Sequence, residues 1–462
     1  MITFIGDLQL DTGVGEAARG LLDAALSSGE PAHYLECALP HAHRRAALPA
    51  QFDGLLRGAN GDINLLGLHL HQAHRLTARQ LNALTGARYT IPYWVWEFEQ
   101  LPARWAAEPL LADEIWTPST FAARAMQAAG KPVYVIPHVV SPPGDGPLAP
   151  LPFSVEPNRF VFLHTFSASS LPARKNPLGV IHAFRAAIAN LPPKDRPLLI
   201  IKAQHLDGFP AAQKQLRDET RHDAITLIDQ NYTAAQMAAL RARANCFISL
   251  HRAEGFGLGL AEAMAAGKPV IATKYCGPAD YISEANGYPV PFTLREVTDD
   301  DTRGYPDFAA LYRGQRWAEP DLSAAASAIR HACQNAPEAR QRGAQAARDI
   351  LAYCGREAVS QRISARLAAI RAGMEHEPAA KRPHTHNARM AQLAVARQEQ
   401  KLAAWQAIHR KADGAGKNKI SRAWRGFRAS RALNHAQAEL NVAAADASYF
   451  LLQANINLAG SA

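Results

Sequence analysis

One stretch, running from Ser249 to Thr273, constrains the fold more than any other. It follows Cys246-Phe247-Ile248-Ser249-Leu250, a short apolar run of buried-strand type. Gly255, Gly257 and Gly259 come next, then a helix-forming run from Leu258 to Ala266 that Gly267 and Pro269 bring to a stop. Lys268 to Thr273 leads into another strand. Strand, glycine turn, helix and strand in that order belong to an α/β chain. The glycines let backbone come close to a ligand, and a helix N-terminus behind them is an anion site. Glu254 and Glu262 bracket the turn, and carboxylates accept hydrogen bonds from hydroxyls. A ligand both phosphorylated and polyhydroxylated fits that set, and a nucleotide sugar is one.

The chain is long enough, at 462 residues, for two or three domains. Its formal charge of +9 favours anionic partners. The five cysteines are odd in number and scattered, with no C-x-x-C. They predict neither a disulfide framework nor a zinc site, and a reducing cytosol suits them. Met1 to Ile5 is expected to be a first strand rather than a secretion signal, and no apolar run is long enough to span a membrane.

From the N-terminus, Ile2–Ile5 predicts a strand and Glu16–Leu26 a helix, with Gly13-Val14-Gly15 as the loop between them. That loop is either a plain turn or a finger touching the ligand from a first domain. Asp62–His71 and Arg88–Glu99 predict two more strands, the second carrying Trp94 and Trp96. Ligands of parallel sheets sit beyond the carboxyl ends of strands, which makes His69, His71, Glu97 and Glu99 candidates. The plainer reading is two core tryptophans and two histidines sharing one strand face. Eight prolines and glycines between residues 141 and 157 mark a domain boundary. The alternation then restarts. Arg174-Lys175 stand just before a helix beginning near Leu178, where two cations can neutralise a diphosphate and its departure.

Beyond Met374 the alternation ends. Residues Lys381 to Arg431 hold thirteen lysines and arginines against Glu399 and Asp413. Met390, Leu393, Leu402, Trp405 and Ile408 form an incomplete apolar stripe, and Trp424 and Phe427 punctuate a second basic run. An amphipathic helix on an anionic membrane surface has this pattern. So does a solvated arm packing on another subunit, and nucleic-acid contact is the least favoured of the three.

Glu254 to Glu262 resembles the E-x7-E motif of retaining GT-B glycosyltransferases. The order of Arg174-Lys175-Asn176-Pro177, Ser249–Leu258 and Glu262–Thr273 is similar to that in family 4, the group 1 glycosyl transferases. Trp96-Glu97, Asp113–Ser119 and Val135-Ile136-Pro137-His138 add to the likeness, which covers about residues 1–371. The resemblance implies two Rossmann-like doubly wound domains facing a cleft; the mostly helical basic C-terminal extension read from composition lies outside the resemblance. An acceptor-side domain would cover 1–140, a linker 141–157 and a donor-side domain 158–356. Residues 357–372 would cross back to the first domain and 373–462 would form the tail. By position, Glu254 would hold the hexose, Glu262 the ribose, and Arg174 and Lys175 the diphosphate. Gly255, Phe256, Gly257 and Leu258 would line the donor, and Gly13 and Gly15 would reach over it. Glu97 stands where the family has a sugar-contacting histidine, which leaves Glu97 and His71 as acceptor-side candidates. Cys276-Gly277 replaces a pair of glycines.

The implied reaction is hexose transfer from a nucleoside-diphosphate sugar, GDP-mannose or UDP-glucose in type, to a glycan or lipid-linked acceptor. No metal and no cofactor are expected, since the nucleotide sugar is itself a co-substrate. The expected location is the cytoplasm or the inner face of the cell membrane. Two other readings use the same residues: an epimerase or phosphorylase, and a non-catalytic nucleotide-sugar scaffold working through its tail.

Overall fold

The computed structural model of the chain describes residues 1–37, 47–144, 146–374, 381–413, 435, 437–447, 449 and 450. Two parallel sheets organise it. The first holds β1 (Ile2–Gly6), β2 (Ala32–Glu36), β3 (Leu56–Arg57), β4 (Ile63–Gly67) and β5 (Tyr89–Pro92) in the order β3-β2-β1-β4-β5. A bridge from Tyr93 to Trp116 continues it to β6 (Ile115–Thr117) and β7 (Val133–Val135). The second holds β8 (Val161–Ser167), β9 (Leu198–Gln204), β10 (Ile225–Ile228), β11 (Cys246–Ser249), β12 (Val270–Thr273) and β13 (Gly287–Val290). Their order is β10-β9-β8-β11-β12-β13. Counted within its own half, each sheet runs 3-2-1-4-5-6, the doubly wound order. Such strands are covered on both faces, so Phe4 and Ile5, Leu65 and Leu66, and Phe247 and Ile248 are buried irrespective of which way they point. A separate antiparallel pair, β14 (Phe292–Glu296) and β15 (Arg316–Pro320), extends from the second half.

The covering helices of the first half are α1 (Gly13–Ser27), α2 (Leu70–Arg75), α3 (Ala78–Thr85) and α4 (Thr120–Gln127). Those of the second are α5 (Pro172–Lys175), α6 (Pro177–Ile188), α7 (Pro210–Glu219), α8 (Ala234–Arg243), α9 (Leu258–Ala265), α10 (Pro306–Tyr312), α11 (Leu322–Gln334) and α12 (Ala336–Cys354). Next to a bridge between Val140 and Gly355, α13 (Arg356–Met374) runs back along α1. Its Arg371 holds Glu30 at 2.7 Å and Asp62 at 3.0 Å, and its Arg366 lies 3.0 Å from buried Glu114.

Three local readings change. Helix α1 begins at Gly13, not Glu16, with the Thr12 hydroxyl accepting from Gly15 N. Gly13 and Gly15 are therefore a helical first turn rather than a loop. A Cβ on Gly15 would lie 1.9 Å from the Leu10 carbonyl, so only glycine permits this helix start. The strand expected to end at His71 stops at Gly67. His69 instead caps α2, its ring accepting from His71 N while Gln72 closes the capping box. The strand expected to reach Glu99 stops at Pro92, and residues 94–99 continue without regular structure.

The extension departs furthest from expectation. Helix α14 (Lys381–Asp413) lies on the first domain, with Met390 and Leu393 buried among Leu68, Leu76, Leu81 and Leu111. Part of the stripe read as facing a bilayer or another subunit thus already faces protein of the same chain. Leu402 is exposed. The side chain of Ile408, and Lys417 to Arg431 with Trp424 and Phe427, lie outside the described residues. Among the described residues, no helix is long and apolar enough to cross a membrane.

Candidate functional site

Strand β11 delivers the chain to Glu254 and the glycine turn. Gly257, at φ 86°, sits in the left-handed region and caps α9. Lys175 Nζ donates to Glu254 Oε1, and Arg174 Nη1 lies 3.5 Å from Oε2. Burial pushes the Glu254 carboxyl up, but Lys175 and then Arg174 outweigh it and hold it down to about 2. Burial also lowers the Lys175 ammonium, against the pull of Glu254. Asn176, left-handed at φ 56°, accepts from Gly179 N to start α6 and donates to Leu250 O at 2.9 Å. The loop bearing Lys175 is thereby tied to the strand bearing Glu254.

Arg174 differs from its neighbour. Its guanidinium donates to Ser170 O at 3.2 Å and Ala253 O at 2.9 Å, and lies 3.6 Å from Glu97. It is a buried strut between two carboxylates and two carbonyls, while Lys175, paired with Glu254, is the more exposed of the two. Gly255 lies against the first domain. A Cβ there would meet Val95 Cγ1 at 2.3 Å, and Ser119 Oγ donates to its carbonyl at 2.6 Å. Phe256 packs on the His138 ring at 4.9 Å, and Tyr281 Oη donates to its carbonyl at 2.7 Å. Phe256 is thus an interdomain contact, while Leu258 opens α9 half-buried. Glu262, one turn further on, pairs with Arg241 at 3.1 Å. Burial raises its carboxyl, Arg241 opposes that, and Glu16 of α1 adds to it. Glu16, in the first turn of α1 with Gly13 and Gly15, is thus within electrostatic reach of Glu262.

On the first-domain wall, Glu97 turns toward the second domain. Tyr312 Oη donates to its Oε1 at 2.5 Å, and Arg174 stands on its other side. His69, not His71, enters the cleft. Its ring lies within electrostatic reach of the Val95 backbone, Glu97 and Arg174, and burial lowers it. His71 lies off the cleft, edge-on to Trp105 at 6.4 Å, and burial takes it to about 4. His138 lies 2.7 Å from Tyr93 Oη, and burial and then His69 take it to about 3.

Sequence reasoning named His69 and His71 together as candidates and kept His71 of the two, because it took the segment for a strand. It also treated His138 as no more than part of a supporting motif. Nothing local marks Tyr312 or the bond from Thr120 N to Asp280 at 2.7 Å. Among the described residues, no group of three or more His, Cys, Asp or Glu could hold a metal ion. The row Glu97, Arg174, Glu254, Lys175 alternates in sign and spans both domains. It can orient a polyol between its carboxylates and meet a phosphate with Lys175 and the amides that open α9.

Residues 163–299 match the family model of the glycosyl transferases group 1. Match and fold together support a GT-B glycosyltransferase. No curated protein matches the chain in sequence. Among solved structures, HepE of Anabaena, in complex with UDP and glucose, is similar with a TM-score of 0.53 at 15% identity. The alignment covers 80% of this chain and 99% of that one. Sucrose-phosphate synthase of Thermosynechococcus elongatus gives 0.55 at 16%, over 80% and 99%. An E. coli structure described as trehalose-6-phosphate bound with UDP-2-fluoro glucose gives 0.55 at 11%, over 79% and 99%. At these identities the likeness establishes the fold, which is GT-B.

Proposed function

We propose that this chain is a retaining, metal-independent hexosyltransferase of family 4, using a nucleoside-diphosphate hexose of the UDP-glucose or GDP-mannose type. The observation that carries the reading is the Lys175–Glu254 pair at the glycine turn opening α9, with Glu262 on that helix. The group 1 match over the same residues supports it, as do the UDP-sugars named for the structural neighbours.

In this reading residues 158–356 hold the donor and residues 1–140 face the acceptor. Glu254 accepts from hexose hydroxyls and Glu262 from the ribose. Lys175 and the amides at Gly257 and Leu258 meet the diphosphate, and Arg174 positions Glu254 and Glu97 rather than touching phosphate itself. The bond from the anomeric carbon to the diphosphate oxygen breaks, and one to the acceptor oxygen forms on the same face. The acceptor proton passes to the departing diphosphate. Lys175 stabilises the charge that develops there, which supplies much of the acceleration. The acceptor is a hydroxyl of a surface glycan or lipid-linked saccharide. Peripheral attachment at the inner membrane face rests on the cations of Lys381–Arg431 other than Arg389 and Arg397, which pair with Asp113 and Glu108, and sedimentation with anionic vesicles tests it.

The deciding experiment incubates the chain with UDP-glucose and GDP-mannose and a panel of saccharide acceptors, and reads nucleotide release and product anomer by NMR. An α-linked product from an α-linked donor is expected. Near-wild-type rates in both Lys175→Ala and Glu254→Gln would sink the assignment, and donor binding with no release or transfer would favour the scaffold reading.

A further inference from the structure

We infer that the C-terminal extension braces the catalytic cleft from behind, with Arg397 of α14 acting as a positioning residue for helix α2 and, through it, for His69 and the Val95–Glu97 segment. The geometry runs as a continuous series of contacts. Arg397 Nη1 donates to Leu76 O at 2.5 Å and Nη2 to Ala73 O at 3.2 Å, so one guanidinium caps the carbonyl end of α2. Its Nε lies 3.1 Å from Glu108 Oε1, and the same carboxylate oxygen lies 2.8 Å from His74 Nδ1 on α2. Glu108 is fully buried and Arg397 nearly so.

The other end of α2 is capped by His69. The His69 ring faces the Val95 backbone, Val95 meets Gly255 of the donor turn, and Glu97 meets Arg174. A six-residue helix has little stability of its own, so its two caps decide where it sits. Other contacts dock the extension on the same wall. Arg389 pairs with Asp113 at 2.6 Å, His386 Nε2 lies 2.7 Å from Asn82 Oδ1, and Asp446 accepts from Ala78 N at 2.8 Å to cap α3. Buried charges without partners are costly, so these pairs fix the extension in one register. This inference rests on the cleft being the catalytic one.

The test uses the full chain and two variants, Arg397→Met and the double variant Arg397→Met/Glu108→Gln, the second of which removes the carboxylate that the first leaves without its guanidinium. Amide hydrogen exchange is read over residues 70–76, with α9 as the internal control, beside UDP affinity and the slow hydrolysis of UDP-glucose. Both variants should exchange about tenfold faster or more in α2 with α9 unchanged. They should hydrolyse UDP-glucose about tenfold more slowly while keeping UDP affinity within about threefold. The double variant should recover thermal stability without recovering α2 protection. Unchanged α2 exchange, or faster exchange with wild-type hydrolysis, would overturn the inference. A wild-type chain that neither binds UDP nor turns over UDP-glucose would break the donor reading instead, and α2 exchange would still decide whether Arg397 holds the helix.

Discussion

The two walls of the cleft come from sheets with one strand order, yet they hold their polar groups by different means. On the wall proposed to hold the donor, Lys175, Asn176, Glu254 and Glu262 come from two short stretches, and most of their partners lie in the same half. On the opposite wall, His69, Glu97 and His138 come from the ends of three different segments. Glu97 is held by Tyr312 and Arg174 from across the cleft, and α2 by Arg397 from behind. A wall made of contiguous motif supports itself. A wall made of scattered residues is as accurate as its braces.

The sharpest break of that contrast is on the donor wall. Lys175→Ala should lower turnover about 10²–10³-fold, the scale of losing one charge-stabilising donor, measured as UDP release from UDP-glucose. A loss confined to KM would mean that Lys175 only binds. At the contact between the walls, Gly255→Ala forces a Cβ into Val95 and should cost about 1–3 kcal/mol of stability. Adding Val95→Ala should recover most of it. If chemical denaturation shows no recovery, the walls do not meet there in solution.

On the braced wall, Glu97→Gln keeps an acceptor for Tyr312 but removes the charge facing Arg174. It should cost about 1–2 kcal/mol and slow transfer more than it weakens UDP binding. An equal loss in both would place Glu97 on the donor side.

A last break of the contrast is in pH. The buried imidazoles of His138 and His164 are held neutral, at about 3 and about 4 against an ordinary 6.5, by burial above all. Their contribution is complete above pH 6.5 and is lost as pH falls through those values. Glu254, at about 2 against 4.5, contributes fully above 4.5 and loses that as pH falls toward 2. Stability should therefore fall with acid in two stages, by at most about 1.4 kcal/mol per pH unit for each group. Glu254→Gln should flatten only the lower stage in urea titrations, and flattening above pH 4.5 would contradict the assignment.

How much of this is legible in the sequence follows the same division. Cys246 to Thr273 can be read residue by residue, because strand, turn, cap and carboxylates are neighbours in the chain. Gly15 was visible, but its reason was not: the 1.9 Å approach to Leu10 is a fact of packing, not of composition. Residues 62–71 look like strand to their end because a histidine that caps a helix and one that ends a strand have the same local pattern. Tyr312 sits in Leu311-Tyr312-Arg313 with nothing to distinguish it, and its meaning comes from Glu97, far away in the chain. In the extension, the apolar character of Met390 and Leu393 was evident, but periodicity names a face without naming what covers it.

The alternating row across the cleft has one more consequence. Lys175 carries its own counter-ion, Glu254. In the proposed reading, an arriving diphosphate exchanges with a tethered carboxylate instead of shedding dissolved ions from a bare cation. Donor affinity should therefore respond only weakly to ionic strength, and a sugar hydroxyl should inherit the carboxylate as it is freed.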